Sequence, residues 1–558
     1  MSPARNYWSR QAMTRTFRML NVFTLVAVMT ASVSAAGQQP AATTAQTQGP
    51  AASVPAPIQA QATDRYEVGQ ARPPIVEGSK LRELTLDQAY AIALEKNLDL
   101  KSARMNPQLV DYQLQGARAA FLPTFNSDYS YRNSQSPSNN ALEGVANLTN
   151  TTQGYNGRWN QTLPWYGTTF SAQFTNGRSA TNDITRRVNP SFSSGLSFSA
   201  SMPLLAGFKI DGTRNQLRTL PVQRQIADIN LVASIENTKN SVRTAYWSLR
   251  SAIEQIEINR RALEIAKKSY DDSMLKVEIG TMAPIDTTQF ETALANAEQS
   301  YLASQIGWRT AELNFKRLLV TGIDDELYLM TINPTDKPSL SVQSVDIQAA
   351  VTKALAERTD IVVARRNVDI NRLNLEITQG ALKPNLSLSG GYSASGQGGP
   401  TKTTTGGVTS VIPGGYFDAL RSASTFELPT WNIGFNFTYP LGMRSAKAAY
   451  ARAVLQIDQT LVTIKAQELT ISTAVINAGL NVENTYKLYQ ASVKSREAAE
   501  KNAAAAQVRF DNGMLTNFEV VTIQNQLTQS RLTELGRLIN YVNAIAEFER
   551  VQKVGAGG

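Results

Sequence analysis

Two carboxylates stand at matching places in this chain. Asp286 and Glu519 each lie six residues after a glycine, Gly280 and Gly513, and each falls where a new helical pattern starts. A glycine supplies the left-handed backbone that stops a helix. A carboxylate at the next helix start complements the positive end of its dipole. A plain helical hairpin needs both features, so one such turn carries little; two matching turns point to an equivalent exposed tip. Other chemistry is scarce. The 558 residues include no His and no Cys. That removes imidazole acid–base work, thiolate nucleophiles, disulfides and His/Cys metal sites. Ser, Thr, Asp and Lys remain, but no catalytic constellation and no GxxxxGKS/T phosphate loop stands out. The expectation is a non-enzyme with no catalytic residue, no cofactor and no resident metal.

The elements that must position these turns are long. From about Gln225 to Lys276, Ile235, Val242, Leu249, Ile256 and Leu263 recur every seven residues, beside the mostly small Thr238, Ala245, Ala252, Asn259 and Ala266. Phe290, Ala297, Ser304, Ala311 and Leu318 form a second stripe, with Leu294, Tyr301, Trp308 and Phe315 alongside. Val454, Leu461, Val475, Val482 and Tyr489 share a period with Ile457, Ile464, Ile471 and Ala478. Sustained heptads signal coiled-coil packing. Residues 448–511 hold no Pro and only Gly479; as one helix they would run ~96 Å. A rod of that length belongs to an elongated bundle, an oligomer or a tube.

The chain is also internally duplicated. Residues 86–104 reappear as 347–365, and the same shift carries Pro123 onto Pro384 and Tyr131 onto Tyr392. Met202-Pro203-Leu204 answers Tyr439-Pro440-Leu441, and Ile279-Gly280-Thr281 answers Asn512-Gly513-Met514. Each half reads helix, strands, long helix, tip, long helix. Thr85 is a plausible N-cap for the first helix, and Pro123 and Pro384 end the second helix of each half. The strands alternate: Leu196, Phe198, Ala200 and Met202 with serines; Ile433, Phe435, Phe437 and Tyr439 with Asn432, Gly434, Asn436 and Thr438. Such segments suit a membrane β-barrel or a half-buried soluble sandwich. Residues 133–157, 176–190 and 393–424 read as long exposed loops. An additional strand pair, 158–163 and 168–175, flanks Pro164-Trp165-Tyr166-Gly167 and has no second copy. It either widens a barrel or forms an extracellular or equatorial flap.

At the N-terminus, Arg5, Arg10, Arg15 and Arg18 precede the apolar Leu20 to Val33 and the small Ser34-Ala35-Ala36. This reads as a signal peptide over 1–36, the apolar run being short for a span of roughly 20 residues. Residues 37–80, rich in Ala, Gln, Thr and Pro at first, read as a flexible segment. Removing the leader's four arginines lowers the net charge from +9 to about +5. That mild balance gives no nucleic-acid footprint. No later run is apolar enough for a helical span, so a membrane would be met as a β-barrel or at its surface.

With its duplication, leader, Leu-Pro and Pro-Leu junctions and two Gly…Asp/Glu tips, the chain resembles the TolC-like outer-membrane efflux protein family over about residues 84–553. The resemblance implies an internally duplicated α+β membrane protein of the outer membrane, with repeats at 84–320 and 345–553. Long antiparallel coiled-coil helices would form a periplasmic α-barrel, and three copies would share one outer-membrane β-barrel embedded in lipid. The helices over 86–120 and 347–381 would join an equatorial belt. The tips Gly280-Thr281-Met282 and Gly513-Met514-Leu515 would face a periplasmic adaptor protein, and through it an inner-membrane transporter. Asp286 and Glu519 match acids near the periplasmic entrance; ringed in threefold copies they would favour cations. The function implied is a passive exit duct for efflux or type I secretion. A periplasmic coiled-coil scaffold without a barrel is the alternative, and a diffusion porin or secreted enzyme fits less. One departure bears on gating. The best-known member carries Arg two residues after the second glycine, paired with the first tip's acid; here that position is Leu515, so that ion pair is not available.

Overall fold

The computed structural model describes residues 71–74, 80–138, 141–338, 345–405 and 408–555. The leader expected over 1–36, and most of the segment 37–80, lie outside the described residues. Ala71, near the end of that segment, is buried, and its carbonyl accepts from Arg250 Nη1 at 3.3 Å. That part of the segment is pinned to the core rather than free.

The chain runs β1 (Leu81–Leu84), α1 (Leu86–Lys96), α2 (Leu98–Ala119), β2 (Thr124–Pro137), β3 (Asn147–Thr162), β4 (Thr169–Thr181), β5 (Ser191–Pro203), α3 (Gly212–Glu278), α4 (Thr287–Leu319), α5 (Glu326–Leu329) and β6 (Thr331–Pro334). It continues α6 (Ile347–Glu357), α7 (Thr359–Gly380), β7 (Asn385–Gly398), β8 (Thr401–Thr405), β9 (Val408–Ile412), α8 (Tyr416–Ser424), β10 (Pro429–Thr438), α9 (Arg444–Asp511) and α10 (Asn517–Lys553). The order helix, helix, strands, long helix, turn, long helix thus occurs twice.

The local signals act as their chemistry requires. Thr85 caps α1 in a capping box: Gln88 N–H donates to its hydroxyl at 3.3 Å, and Thr85 N–H donates to Gln88 Oε1 at 3.2 Å. Both α2 and α7 stop a few residues short of Pro123 and Pro384. The first long helix begins at Gly212, well ahead of the expected Gln225, and holds Pro221 inside it. Asp211 caps it by accepting from Arg214 N–H at 2.9 Å and binds the same arginine's Nε at 2.7 Å. This cap holds a first stretch that the proline's missing donor would otherwise discourage. At 67 and 68 residues, α3 and α9 each run about 100 Å.

The heptad stripes are the seams. Val242, Leu249 and Ile256 on α3 bury against Trp308, Phe315 and Leu319 on α4 and Leu535 and Ile539 on α10. Ile471 and Val475 on α9 bury against Ala350, Ala354 and Ile361. Leu461, expected on the same stripe, is exposed. The short helices flank the long ones through polar bridges. Arg224 on α3 donates to Asp111 on α2, Arg218 binds Glu376 on α7, and Asn371 donates to Thr460 on α9.

The six-stranded sheet has the order β10-β7-β5-β4-β3-β2, antiparallel throughout. The additional strand pair lies in the sheet itself: β3 and β4 stand between β2 and β5 rather than apart as a flap. Their connecting turn lies beside the start of α3, with Tyr166 stacked on Phe208 at 4.6 Å between centroids. The readings of 133–157, 176–190 and 393–424 as loops are corrected. β2, β3, β4 and β7 carry on through much of them, and β8, β9 and α8 lie in the last. These parts are rich in Ser, Thr, Asn and Gly, so they lack the alternation that marks a strand. Their backbone is paired on the ladder all the same, and a strand that continues past the lipid needs no apolar face.

Across the sheet one register row reads Phe125, Trp159, Ala172, Phe198, Tyr392 and Trp431. The adjacent row, on the opposite face, reads Thr124, Asn160, Ser171, Ser199, Gly391 and Asn432. Phe125, Trp431, Ile433, Phe435 and Phe437 are all well exposed on the apolar face. A contiguous exposed apolar face opposite a polar one is what a membrane barrel wall presents to lipid and to its lumen. Among the described residues no helix is long and apolar enough to cross a membrane.

Candidate functional site

The two helical turns lie together at the ends of the long hairpins. In the first, Gly280 has φ +75°, its N–H donates to Val277 O at 3.0 Å, and Thr281 N–H donates to Lys276 O at 2.9 Å. In the second, Gly513 has φ +71°, its N–H donates to Phe510 O at 2.9 Å, and Met514 N–H donates to Arg509 O at 2.8 Å. Both are complete Schellman caps. Nothing lies within 4 Å of where a Cβ would stand on either glycine. The glycines are therefore required by backbone conformation alone.

The restarts differ. Pro284 opens a short 3-10 turn over Pro284–Asp286, and Asp286 then stands at the N-cap of α4 with no side-chain cap bond. In the second turn Thr516 is the N-cap, and Glu519 lies three residues into the helix, not at its first position. Glu519 Oε2 accepts from Thr516 N–H at 2.9 Å and from the Thr516 hydroxyl at 2.8 Å. These bonds hold the Glu519 carboxyl below its ordinary range. So Glu519 is committed to a capping box, whereas Asp286 is not.

Gly280, Thr281, Gly513, Met514, Asp286 and Glu519 are exposed, while Met282 and Leu515 are half-buried. Met282 faces the other turn, where Asn517 Nδ2 donates to its sulfur at 3.8 Å. Sequence reasoning missed the cluster that clamps the turns together. Phe290 on α4 lies 6.3 Å from Phe510 on α9, and Lys276 Nζ stands 4.2 Å over the Phe510 ring. Phe510, an aromatic residue just before the second turn's glycine, was the available signal. Further along, Arg496 and Glu500 on α9 meet Arg531 and Glu534 on α10 in a charged network. Burial pushes the Glu534 carboxyl up, and the Arg496 guanidinium offsets this in part. The arrangement offers an exposed two-loop surface of backbone, hydroxyl and thioether groups with two carboxylates beside it. These groups can exchange hydrogen bonds with a partner and present two negative charges. Among the described residues no acidic cluster is placed to hold a metal ion.

A family profile described as "Outer membrane efflux protein" matches residues 167–320 and 350–550. The outer membrane protein TolC of Vibrio cholerae is 20% identical over 349 residues, covering 60% of this chain and 72% of the relative. The Campylobacter jejuni CmeC outer membrane channel superposes with a TM-score of 0.58 at 17% identity, over 84% of this chain and 85% of the channel. A membrane protein from Pseudomonas aeruginosa gives 0.61 at 14% identity, over 88% and 97%. The open state of the Neisseria gonorrhoeae MtrE outer membrane channel gives 0.56 at 17% identity, over 84% and 89%.

Proposed function

The chain belongs to the outer membrane efflux protein family, and from that premise we propose that it is the outer-membrane exit duct of a tripartite efflux or type I secretion assembly. The observation that carries this reading is the continuity of two structures in one chain. A sheet with an exposed apolar face runs directly into helical hairpins about 100 Å long. A scaffold confined to the periplasm has no use for that apolar face. Three copies would close the barrel and the helical tube, and an inner-membrane pump would supply the energy, since the duct carries no nucleotide-binding loop of its own.

In this reading Thr281 and Met514 meet a periplasmic adaptor. Photo-crosslinkers at those two positions should capture one copurifying periplasmic protein. Capture of nothing from either position, in cells that carry out efflux, would remove the adaptor reading. The partner pump then defines the cargo.

Asp286 and Glu519 would ring the entrance and favour cations. Glu519→Gln is a clean test, because glutamine at this position keeps the capping box and removes only the charge. Cation selectivity measured as a reversal potential should fall; an unchanged potential would leave Glu519 as a cap alone. With Leu515 in place of an ion-pairing arginine, the closed state is looser or held in a different way. Leu515→Arg should change single-channel opening, and identical opening traces would count against this gate.

A further inference from the structure

Resting on the threefold reading above, we infer that β3 and β4 widen the wall, so that three copies close an eighteen-stranded barrel. β10 of each copy pairs with β2 of the next. Strand direction decides how the two edges can meet. β2 leaves the end of α2 and runs away from the helices, and the five antiparallel steps across the sheet bring β10 back toward them. The two free edges therefore run in opposite senses, and placing β10 of one copy beside β2 of another continues the antiparallel order with an even strand number. Both edges are bare: β2 and β10 are exposed along nearly their whole length. Both also carry the lipid-face aromatics Phe125, Tyr129, Trp431 and Phe435. A long bare edge with a polar face and an apolar face requires a strand partner in a membrane. A second copy of this chain supplies the matching edge.

The topology identifies β3 and β4 as the widening unit. Pro137 at the far end of β2 is opposite Asn147, and Ser191 at the far end of β5 is opposite Ser179. β2 and β5 thus end at the same side, and the β3–β4 pair enters and leaves there. Without it the sheet would read β10-β7-β5-β2, still alternating in direction. Three such sheets would make twelve strands. The second half supplies β7 and β10 only, so the extra pair belongs to the first half. At ~4.8 Å between strands and a tilt of ~40°, eighteen strands give a backbone diameter of about 36 Å, against about 24 Å for twelve. The lumen row through Asn160, Ser171, Ser199 and Asn432 is polar, so the wider bore is water-filled rather than packed. The four long helices per copy are unaffected. The duct gains a wide hydrated vestibule at its exit, not a wider entrance.

The test is strand counting by electron cryo-microscopy on the full-length protein in lipid nanodiscs. The expected section is threefold with eighteen strands. A threefold section with twelve wall strands and the β3–β4 pair outside it would overturn this inference and leave the trimer standing. A ring of another symmetry would overturn both. A second measurement is polymer exclusion from the barrel side in planar bilayers, comparing the intact chain with a deletion of 147–181. Residues 138–146 and 182–190 then bridge β2 to β5. The largest admitted polymer radius should fall by about one third, following the diameter ratio. An unchanged radius in an assembled deletion variant would overturn the inference, and if the deletion fails to assemble the strand count on the intact protein decides.

Discussion

The two halves of the chain build the same hairpin and part company where it is buried. Moving Gly280 onto Gly513 also moves Val242 onto Val475 and Leu249 onto Val482, and all four seam residues are buried. The same shift moves Arg250 and Glu254 onto Glu483 and Lys487, and Glu312 onto Ile545. Arg250 and Glu254 form a buried ion pair at 2.6 Å, and Glu312 and Lys316 another at 3.1 Å; Glu483 and Lys487 are both exposed. The cause lies in what each half must accommodate. β1 and β6 pair in parallel against the first-half hairpin and bring backbone groups into its core. Glu312 accepts from Ile332 N–H at 3.0 Å, and Arg250 donates to Pro334 O at 2.9 Å. Buried backbone groups need partners. In the second half Gly479 replaces Tyr246, and the side chains of Val345 and Ile347 occupy the space. The second hairpin pairs its helices through apolar seams and a charged network that keeps some exposure, between Arg496, Glu500, Arg531 and Glu534. Fully buried ion pairs enter where a strand pair is inserted beside the helices.

The sharpest way to break this comparison is Glu312→Ala. It strands the Lys316 ammonium, which is 1% exposed, and leaves the Ile332 N–H unpaired. Burial already pushes the Lys316 pKa down, and Glu312 offsets part of that. Removing one partner of a buried pair costs about 3–5 kcal/mol. The surface change Glu483→Ala, at the place that matches the buried Arg250, should stay within about 0.5 kcal/mol. Denaturant unfolding in detergent separates the two; equal losses would mean that the halves do not differ in the way described.

The turns test the opposite limb, where the halves agree. Gly280→Ala and Gly513→Ala each force a side chain into left-handed backbone, which costs about 1–2 kcal/mol. Because both glycines have open space around them, the two losses should match to within a few tenths of a kcal/mol. Hydrogen exchange at Thr281 and Met514, whose amides close the two caps, reads this locally. A loss in one turn and none in the other would show that only one Schellman cap persists in solution.

Much of this contrast was legible from residues alone. The heptads located the seams, and the two glycines located the tips, because both signals are short-range and steric. The buried charges were not legible: Glu312 and Lys316 look like an ordinary surface pair on a helix until β6 is seen to lie against them. The lengths of β3 and β7 were missed for a related reason. Alternation marks only the part of a strand that touches lipid, and residues 147–154 and 395–398 lie on stretches where it fades. Of the site, the positions of both acids were readable, but their unlike roles depend on whether Thr516 can reach Glu519, which is a matter of backbone geometry.

The smallest effect follows from that last difference. Thr516→Ala removes the hydroxyl that bonds Glu519 and should cost about 1 kcal/mol, as N-cap losses do. Asp286→Ala removes no side-chain cap bond and should stay within about 0.5 kcal/mol. The two also differ in pH dependence. The folded Glu519 carboxyl lies below its ordinary range because Thr516 donates to it. Its contribution is therefore complete above the unfolded pKa and fades as the pH falls through the folded one. In the wild type, amide protection at the start of α10 should drop with acidification across that window. In Thr516→Ala the drop should shrink only in part, because the backbone N–H of residue 516, the larger cause of the depression, still donates to the carboxyl and only the hydroxyl bond is gone. If acidification instead loosened the starts of α4 and α10 alike, both acids would be acting through the helix dipole alone, and the capping box would not be what sets the second turn apart.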